Sequence, residues 1–239
     1  MNYFIFNGLD SRDFGIHIDN EPNIVKPTRK LNTVSIDGRS GYLLYSDIDN
    51  EEVLDSFSLS ITCTLSDENK LPDVMKWLTG YGELILSNNS DKYYNALIVN
   101  QIDFERVFRK FKAFTVIFEC QPFAYEIENE TILKTVKNNS LTFTIENNAN
   151  TFSKPLITVY GNGEVDLVIN GKILNLTVDE YITIDFDLQN ATKGILNRNN
   201  CVVGDYSEFR FEVGTNTITV NGNATKIEVT PNFRWYWGG

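Results

Sequence analysis

Phe57-Ser58-Leu59-Ser60-Ile61-Thr62-Cys63-Thr64-Leu65 alternates without a break between apolar and hydroxyl-bearing side chains. Successive side chains of an extended chain point to opposite faces. The period of two therefore puts Phe57, Leu59, Ile61, Cys63 and Leu65 on one face of a sheet. Phe114, Val116, Phe118 and Cys120 repeat the pattern, after a segment Ile102 to Arg109 that reads as the partner strand, with Arg109-Lys110 as an exposed turn. Aromatic residues on the apolar side favour a half-buried sheet.

One helix interrupts the strands. Leu71, Val74, Met75 and Leu78 fall at i, i+3, i+4 and i+7, a stripe about two turns long. Pro72 fits only the first turn, where its missing N–H costs no hydrogen bond, and Gly80 and Gly82 stop the helix. After Pro122-Phe123-Ala124-Tyr125 the chain becomes richer in Thr and Asn, and helical periodicity disappears. A domain boundary is placed there, giving domains 1-125 and 126-239.

The second half reads as short strands between turns. Val165 to Ile169, Asn170-Gly171 and Lys172 to Leu176 form a hairpin signature with a type I′ turn. A second Asn-Gly, Asn221-Gly222, separates Thr217 to Val220 from Lys226 to Val229, while Ile182, Ile184 and Phe186 alternate with polar neighbours. The fold class expected is mainly β. An N-terminal sandwich or barrel-like domain with one short α-helix is followed by a C-terminal antiparallel β-sandwich.

Composition supports a packed core. Of 239 residues, 42% are hydrophobic and 13% aromatic, enough to bury a core without disulfide or metal staples. The formal charge of −11 is spread evenly over both halves, which repels phosphate and leaves no basic stripe for a nucleic acid. Cys63, Cys120 and Cys201 are odd in number and lack CxxC spacing, so they read as free thiols of a reducing compartment. The amino end has no basic region followed by an apolar one, and no run of about 18 apolar residues occurs. Synthesis in the cytosol without membrane insertion is expected, and the Asn-x-Ser/Thr matches at Asn88 and Asn223 reflect Asn-rich composition.

The residues that carry chemistry are sparse. His17, the only histidine, lies between Ile16 and Ile18 in an apparent strand with no companion ligands. Glu180, Asp185 and Asp187 are carboxylates whose spacing the sequence leaves open, so a glycosidase pair is given little weight. Asp47-Ile48-Asp49-Asn50-Glu51 resembles a calcium loop faintly, but Glu52 stands where Gly is needed and Ser58 where a bidentate Glu is needed. Gly161-Asn162-Gly163 lacks the third glycine and following helix of a dinucleotide site and reads as a β-turn. The C-terminal Phe233-Arg234-Trp235-Tyr236-Trp237 reads as packing, with sugar stacking or a neighbour's groove as alternatives. No catalytic, cofactor or metal residue is assigned.

Short motifs in a fixed order give the chain a resemblance. Phe4-Ile5-Phe6-Asn7-Gly8, Ser11 to Ile16, Asp37-Gly38-Arg39-Ser40-Gly41, Trp77-Leu78-Thr79-Gly80, Tyr93-Tyr94-Asn95-Ala96 and Phe118 to Tyr125 resemble the siphophage distal tail protein family. In the second half Ser153 to Ile157, Gly161 to Gly163, Ile169-Asn170-Gly171, Ile184-Asp185, Gly214 to Ile218 and Val229-Thr230-Pro231 resemble that family's galectin-like C-terminal sandwich. The chain departs from the family in having Ile36-Asp37-Gly38-Arg39 where Pro is frequent, and Phe233-Arg234 where a Trp-Arg pair is frequent.

The resemblance implies a non-enzymatic virion protein of a long non-contractile tail, assembled in the host cytoplasm and located at the tail tip. It implies a homo-oligomer, a hexameric ring of N-terminal domains, that joins the tail tube protein to baseplate or fibre proteins. DNA would pass through the lumen without specific binding, and no cofactor is implied. Gly8, Gly15, Gly38 and Gly41 are expected in turns, with Trp77 and Leu78 docking the helix. Candidate inter-subunit contacts are Arg39, Tyr42 and Tyr45 in the loop Arg39 to Asn50, and Tyr93 and Tyr94 beside the hairpin from Ser87. The rival reading is a carbohydrate-binding module contributing to host cell-wall recognition.

Overall fold

The computed structural model describes residues 2–20, 22, 24–30, 33–44, 47–48, 51–100 and 113–236. Its first elements are β1 (Phe4–Phe6), β2 (Leu9–Asp10), β3 (Ile16–Ile18), β4 (Thr33–Ser35), β5 (Tyr42–Leu44), β6 (Asp47–Ile48) and β7 (Glu51–Glu52). There follow β8 (Phe57–Leu65), α1 (Leu71–Trp77), β9 (Tyr81–Leu86), β10 (Asn89–Ile98) and β11 (Ala113–Glu126). The later strands are β12 (Ile132–Thr135), β13 (Ser140–Asn147), β14 (Leu156–Ile169), β15 (Lys172–Asp185) and β16 (Asn190–Lys193). β17 (Leu196–Asn197), β18 (Val202–Val203), β19 (Gly214–Thr230) and β20 (Arg234–Tyr236) complete the chain. The protein is mainly β and its sheets are built from antiparallel pairs. Two compact units form, one of Met1–Ile127 with Tyr236, the other of Glu128–Trp235.

The first unit is built on a sheet in the order β2-β1-β9-β10-β11-β8-β3. The two alternating segments pair directly: Phe57 faces Cys120, Leu59 faces Phe118, Ile61 faces Val116 and Cys63 faces Phe114, and all are buried. Cross-strand apolar pairs of this kind stabilise a sheet face. The expected strand Ile102 to Arg109 and its turn lie outside the described residues.

Helix α1 rotates away from the stripe predicted for it. Val74, Trp77 and Leu78 are buried, whereas Met75 is 50% exposed. Trp77 explains the difference. Its ring stacks on Phe14 at 4.3 Å and on Phe4 at 5.5 Å between centroids, and its Nε1–H donates to the Phe6 carbonyl at 2.8 Å. A large ring with a satisfied N–H buries more surface than the flexible thioether, so the helix presents Trp77 to the sheet. Pro72 sits in the first turn as expected.

The second unit departs from the short-strand reading. β14 and β15 stay in register from Ile169↔Lys172 to Leu156↔Asp185, joined by Asn170 and Gly171 at φ of 50° and 84°, the double positive φ of a type I′ turn. β19 runs unbroken for 17 residues through the second Asn-Gly. Asn221-Gly222 is therefore no turn, and Gly161-Asn162-Gly163 is no β-turn either. Both sit inside strands, where the register between β14 and β19 shifts. A side chain on Gly222 would meet the Glu164 carbonyl at 2.4 Å, and one on Gly161 would meet the Asn223 carbonyl at 2.3 Å. The two backbones cross too closely for any Cβ, which is the use of glycine in a strand interior.

At this crossing the strands bend so that both halves share one core. Ile157 and Val159 from one side, with Val165, Leu167 and Ile169 from the other, belong to a single buried cluster with Ile182, Ile184, Phe186, Ile218, Val220, Ile227 and Val229. Of the C-terminal aromatic run, Phe233 packs against this core. Arg234 stacks over Phe152 at 4.3 Å and donates through Nε to its carbonyl at 2.8 Å, while Arg210 covers the same ring at 4.7 Å. Trp237 lies outside the described residues.

Candidate assembly surface

The candidate contact residues fall into two places in the first unit. Arg39 and Tyr42 belong to the β4–β5 hairpin, whose turn is closed by the Arg39 N–H donating to the Ile36 carbonyl at 3.1 Å, with Gly38 at φ 79°. Ser35 faces Tyr42 and Val34 faces Leu43 across the ribbon. Its apolar side chains are open: Val34 is 51% exposed, Ile36 45%, Tyr42 60% and Leu43 39%. A two-stranded ribbon is at best marginal alone in water, and here its apolar side chains gain little from burial. Tyr45 lies outside the described residues.

Tyr93 and Tyr94 separate because neighbours in a strand face opposite ways. Tyr93 is half-buried on the outer side and stacks on Tyr125 at 5.7 Å. Tyr94 is 1% exposed, packs edge-on against Phe57 at 5.6 Å, and its hydroxyl has no hydrogen-bond partner. Burial pushes its phenol well above the usual range. Tyr94 is thus a core residue and offers no surface, a placement that period-two counting along Tyr93-Tyr94-Asn95-Ala96 would have indicated.

The groups weighed for chemistry are engaged in structure. His17 pairs with Thr64 across β3 and β8, with a buried Nδ1 that makes no hydrogen bond. Asp185 accepts the N–H groups of Asp187 and Leu188, closing the turn after β15. Glu180 has a left-handed backbone at φ 63° and pairs with Lys193 at 3.0 Å. Tyr160 and Tyr181 form a tilted pair at 5.8 Å, but the Lys226 ammonium already covers the Tyr160 ring at 3.8 Å. Among the described residues no group of His, Cys, Asp and Glu is arranged to hold a metal ion, and no helix is long and apolar enough to cross a membrane.

Burial pushes the Cys63 and Cys120 thiols up to about 12. The thiolate is the reactive form, so at pH 8 both are expected to resist iodoacetamide in the native protein and to react in denaturant, while half-exposed Cys201 reacts in both. The folded protein holds these protons from pH 9 to about 12 while the unfolded chain releases them, so stability is expected to fall as pH rises through that window. Native labelling of Cys63 at the Cys201 rate would contradict the packing described.

Comparisons with known proteins agree with this fold. The crystal structure of SPP1 Dit (gp 19.1), described as a paradigm of the hub adsorption apparatus in phages infecting Gram-positive bacteria, superposes with a TM-score of 0.65. The match covers 96% of this chain and 98% of that one at 13% sequence identity, a likeness of fold. No curated protein sequence matches the chain. The family described as the phage tail protein N-terminal domain matches residues 1–122, the span that carries the paired alternating strands, the Trp77 dock and the exposed hairpin. Over half its length, the chain belongs to this family of phage tail proteins.

Proposed function

We propose that the chain is a structural hub of a long non-contractile tail: a hexameric ring at the distal tip that joins the tail tube to baseplate or fibre proteins and surrounds the DNA channel. Family membership over residues 1–122 and the end-to-end likeness to a hub protein support this reading. The observation that carries the ring is the β4–β5 hairpin, which displays Val34, Ile36, Tyr42 and Leu43 to solvent. Apolar side chains on a free ribbon are what a subunit interface covers. Assembly would take place in the host cytoplasm, with the first unit forming the ring and the second, galectin-like, unit presented to neighbours. An interface that repeats around an axis closes into a ring when its rotation permits. The charge of −11 per chain disfavours adhesion of DNA in the lumen.

Light scattering on the purified chain is expected to give a particle mass that is a whole multiple of six chains, and Tyr42→Asp with Leu43→Asp is expected to abolish that sixfold particle with an unchanged melting temperature. Gold-labelled antibody on virions should mark the tail tip. Labelling along the tube, or single chains at high concentration, would refute the reading.

A further inference from the structure

The second unit carries an edge strand that the chain leaves unblunted. Sheet edges invite pairing with other chains, and proteins suppress this with short strands, lysines, prolines or bulges. Most edges here follow that rule: β2, β17 and β18 are two residues long, β3 is three, and β12 is four with an exposed Lys134. β13 does not. It runs for eight residues, Ser140–Asn147, without Pro, Lys or Arg, and its register with β19 has no bulge. Among the described residues β19 is its partner on one side; on the other, the Ser140 N–H donates to the Lys137 carbonyl at 3.2 Å, and no strand pairs with the rest.

The backbone groups that face outward follow from the ladder. The Gly222 N–H donates to the Asn139 carbonyl at 2.9 Å, and antiparallel pairs alternate between bonded and non-bonded. Leu141, Phe143 and Ile145 thus bond to β19, while Ser140, Thr142, Thr144 and Glu146 direct their N–H and C=O groups away from it. The side chains of those four are exposed, and Leu141 and Phe143 on the other face are only half-buried at the lip of the core.

We propose that β13 is a self-pairing edge, to which a second copy of this chain adds its own β13 antiparallel across a two-fold axis at Phe143. Charge decides for a second copy. In this register Thr142 faces the partner's Thr144 and Ser140 faces the partner's Glu146, so the strand's one charge meets a hydroxyl and never its own image. The Thr142–Thr144 pairs exchange both backbone bonds, and the Ser140 carbonyl accepts the N–H of the second copy's Glu146, while the Ser140 N–H stays with the Lys137 carbonyl. Phe143 meets its symmetry mate in a non-bonded pair, where side chains approach closest, and the half-buried rings cover each other. An isologous contact of this kind pairs two objects and stops. It is independent of the proposed ring: whatever number of copies a ring holds, edge pairing doubles it.

The test is a charge swap in the full chain, read by light scattering at low ionic strength, where surface charges are least screened. Thr142→Lys/Thr144→Lys places lysine opposite lysine twice, and should halve the particle mass relative to wild type. Thr142→Lys/Thr144→Glu adds two charged groups at the same positions but sets lysine opposite glutamate, and should restore the wild-type mass. Both positions are exposed, so both variants should keep the wild-type melting temperature. A common mass for all three proteins would overturn the proposal, as would a Lys/Glu variant that behaves like the double lysine. In either case the edge is left to a strand of a different protein.

Discussion

Trp77→Ala is expected to melt the first unit well below the wild-type temperature. The substitution removes a ring stacked on both Phe4 and Phe14 and leaves a hole between α1 and the sheet. Truncating a large buried aromatic costs about 3–5 kcal/mol, a large part of the roughly 5–15 kcal/mol that holds a domain folded. It also removes the indole N–H that donates to the Phe6 carbonyl. Trp77→Phe keeps the stacking and loses the hydrogen bond, so its cost is expected to be smaller, about 1–3 kcal/mol. Near-ultraviolet circular dichroism during heating reads both. An alanine variant that melts with the wild type would show that Trp77 does not anchor the helix.

Gly222→Val should prevent the second unit from folding. Gly222 has φ of 96°, a region that a β-branched residue enters only with strain, and its Cβ would lie 2.4 Å from the Glu164 carbonyl and 3.2 Å from the Val165 Cα. Both neighbours are backbone within a paired strand, so neither swings aside. The cost is expected to exceed about 4 kcal/mol, the range reserved for such collisions. Gly171→Asn is the control. Gly171 has a similar φ of 84° but nothing within 4 Å of the added atom, and asparagine tolerates that conformation, so its melting temperature should fall by only a few degrees. Soluble yield and thermal melts of the two variants separate close backbone approach from turn preference. Equal behaviour would remove the crossing from the account.

That comparison also shows what the sequence could reveal about this fold. Phe57 to Leu65 and Phe114 to Cys120 were legible because a period of two needs no knowledge of the partner strand. Asn170-Gly171 and Asn221-Gly222 have the same local chemistry, yet one is a turn and the other a bend within a strand. The difference is the Glu164 carbonyl, 58 positions away from Gly222, and no local pattern contains it. Met75 and Trp77 pose the same problem on α1: helical spacing admits either, and the pocket between Phe4 and Phe14 selects the tryptophan. For the candidate assembly surface, aromatic residues beside polar turns drew attention to Arg39, Tyr42, Tyr93 and Tyr94 alike, and it is the alternation of the strand that separates buried Tyr94 from Tyr93. The open edge of β13 left no signal until its partner strand was known.

The three long strands of the second unit have a mechanical consequence. β14, β15 and β19 each pass through the bend and contribute to both ends of the same core. A pull applied at one end travels along covalent backbone to the other, and neither end peels off without unzipping ladders in its counterpart. The unit resists tension as a single spring rather than as two plates glued together.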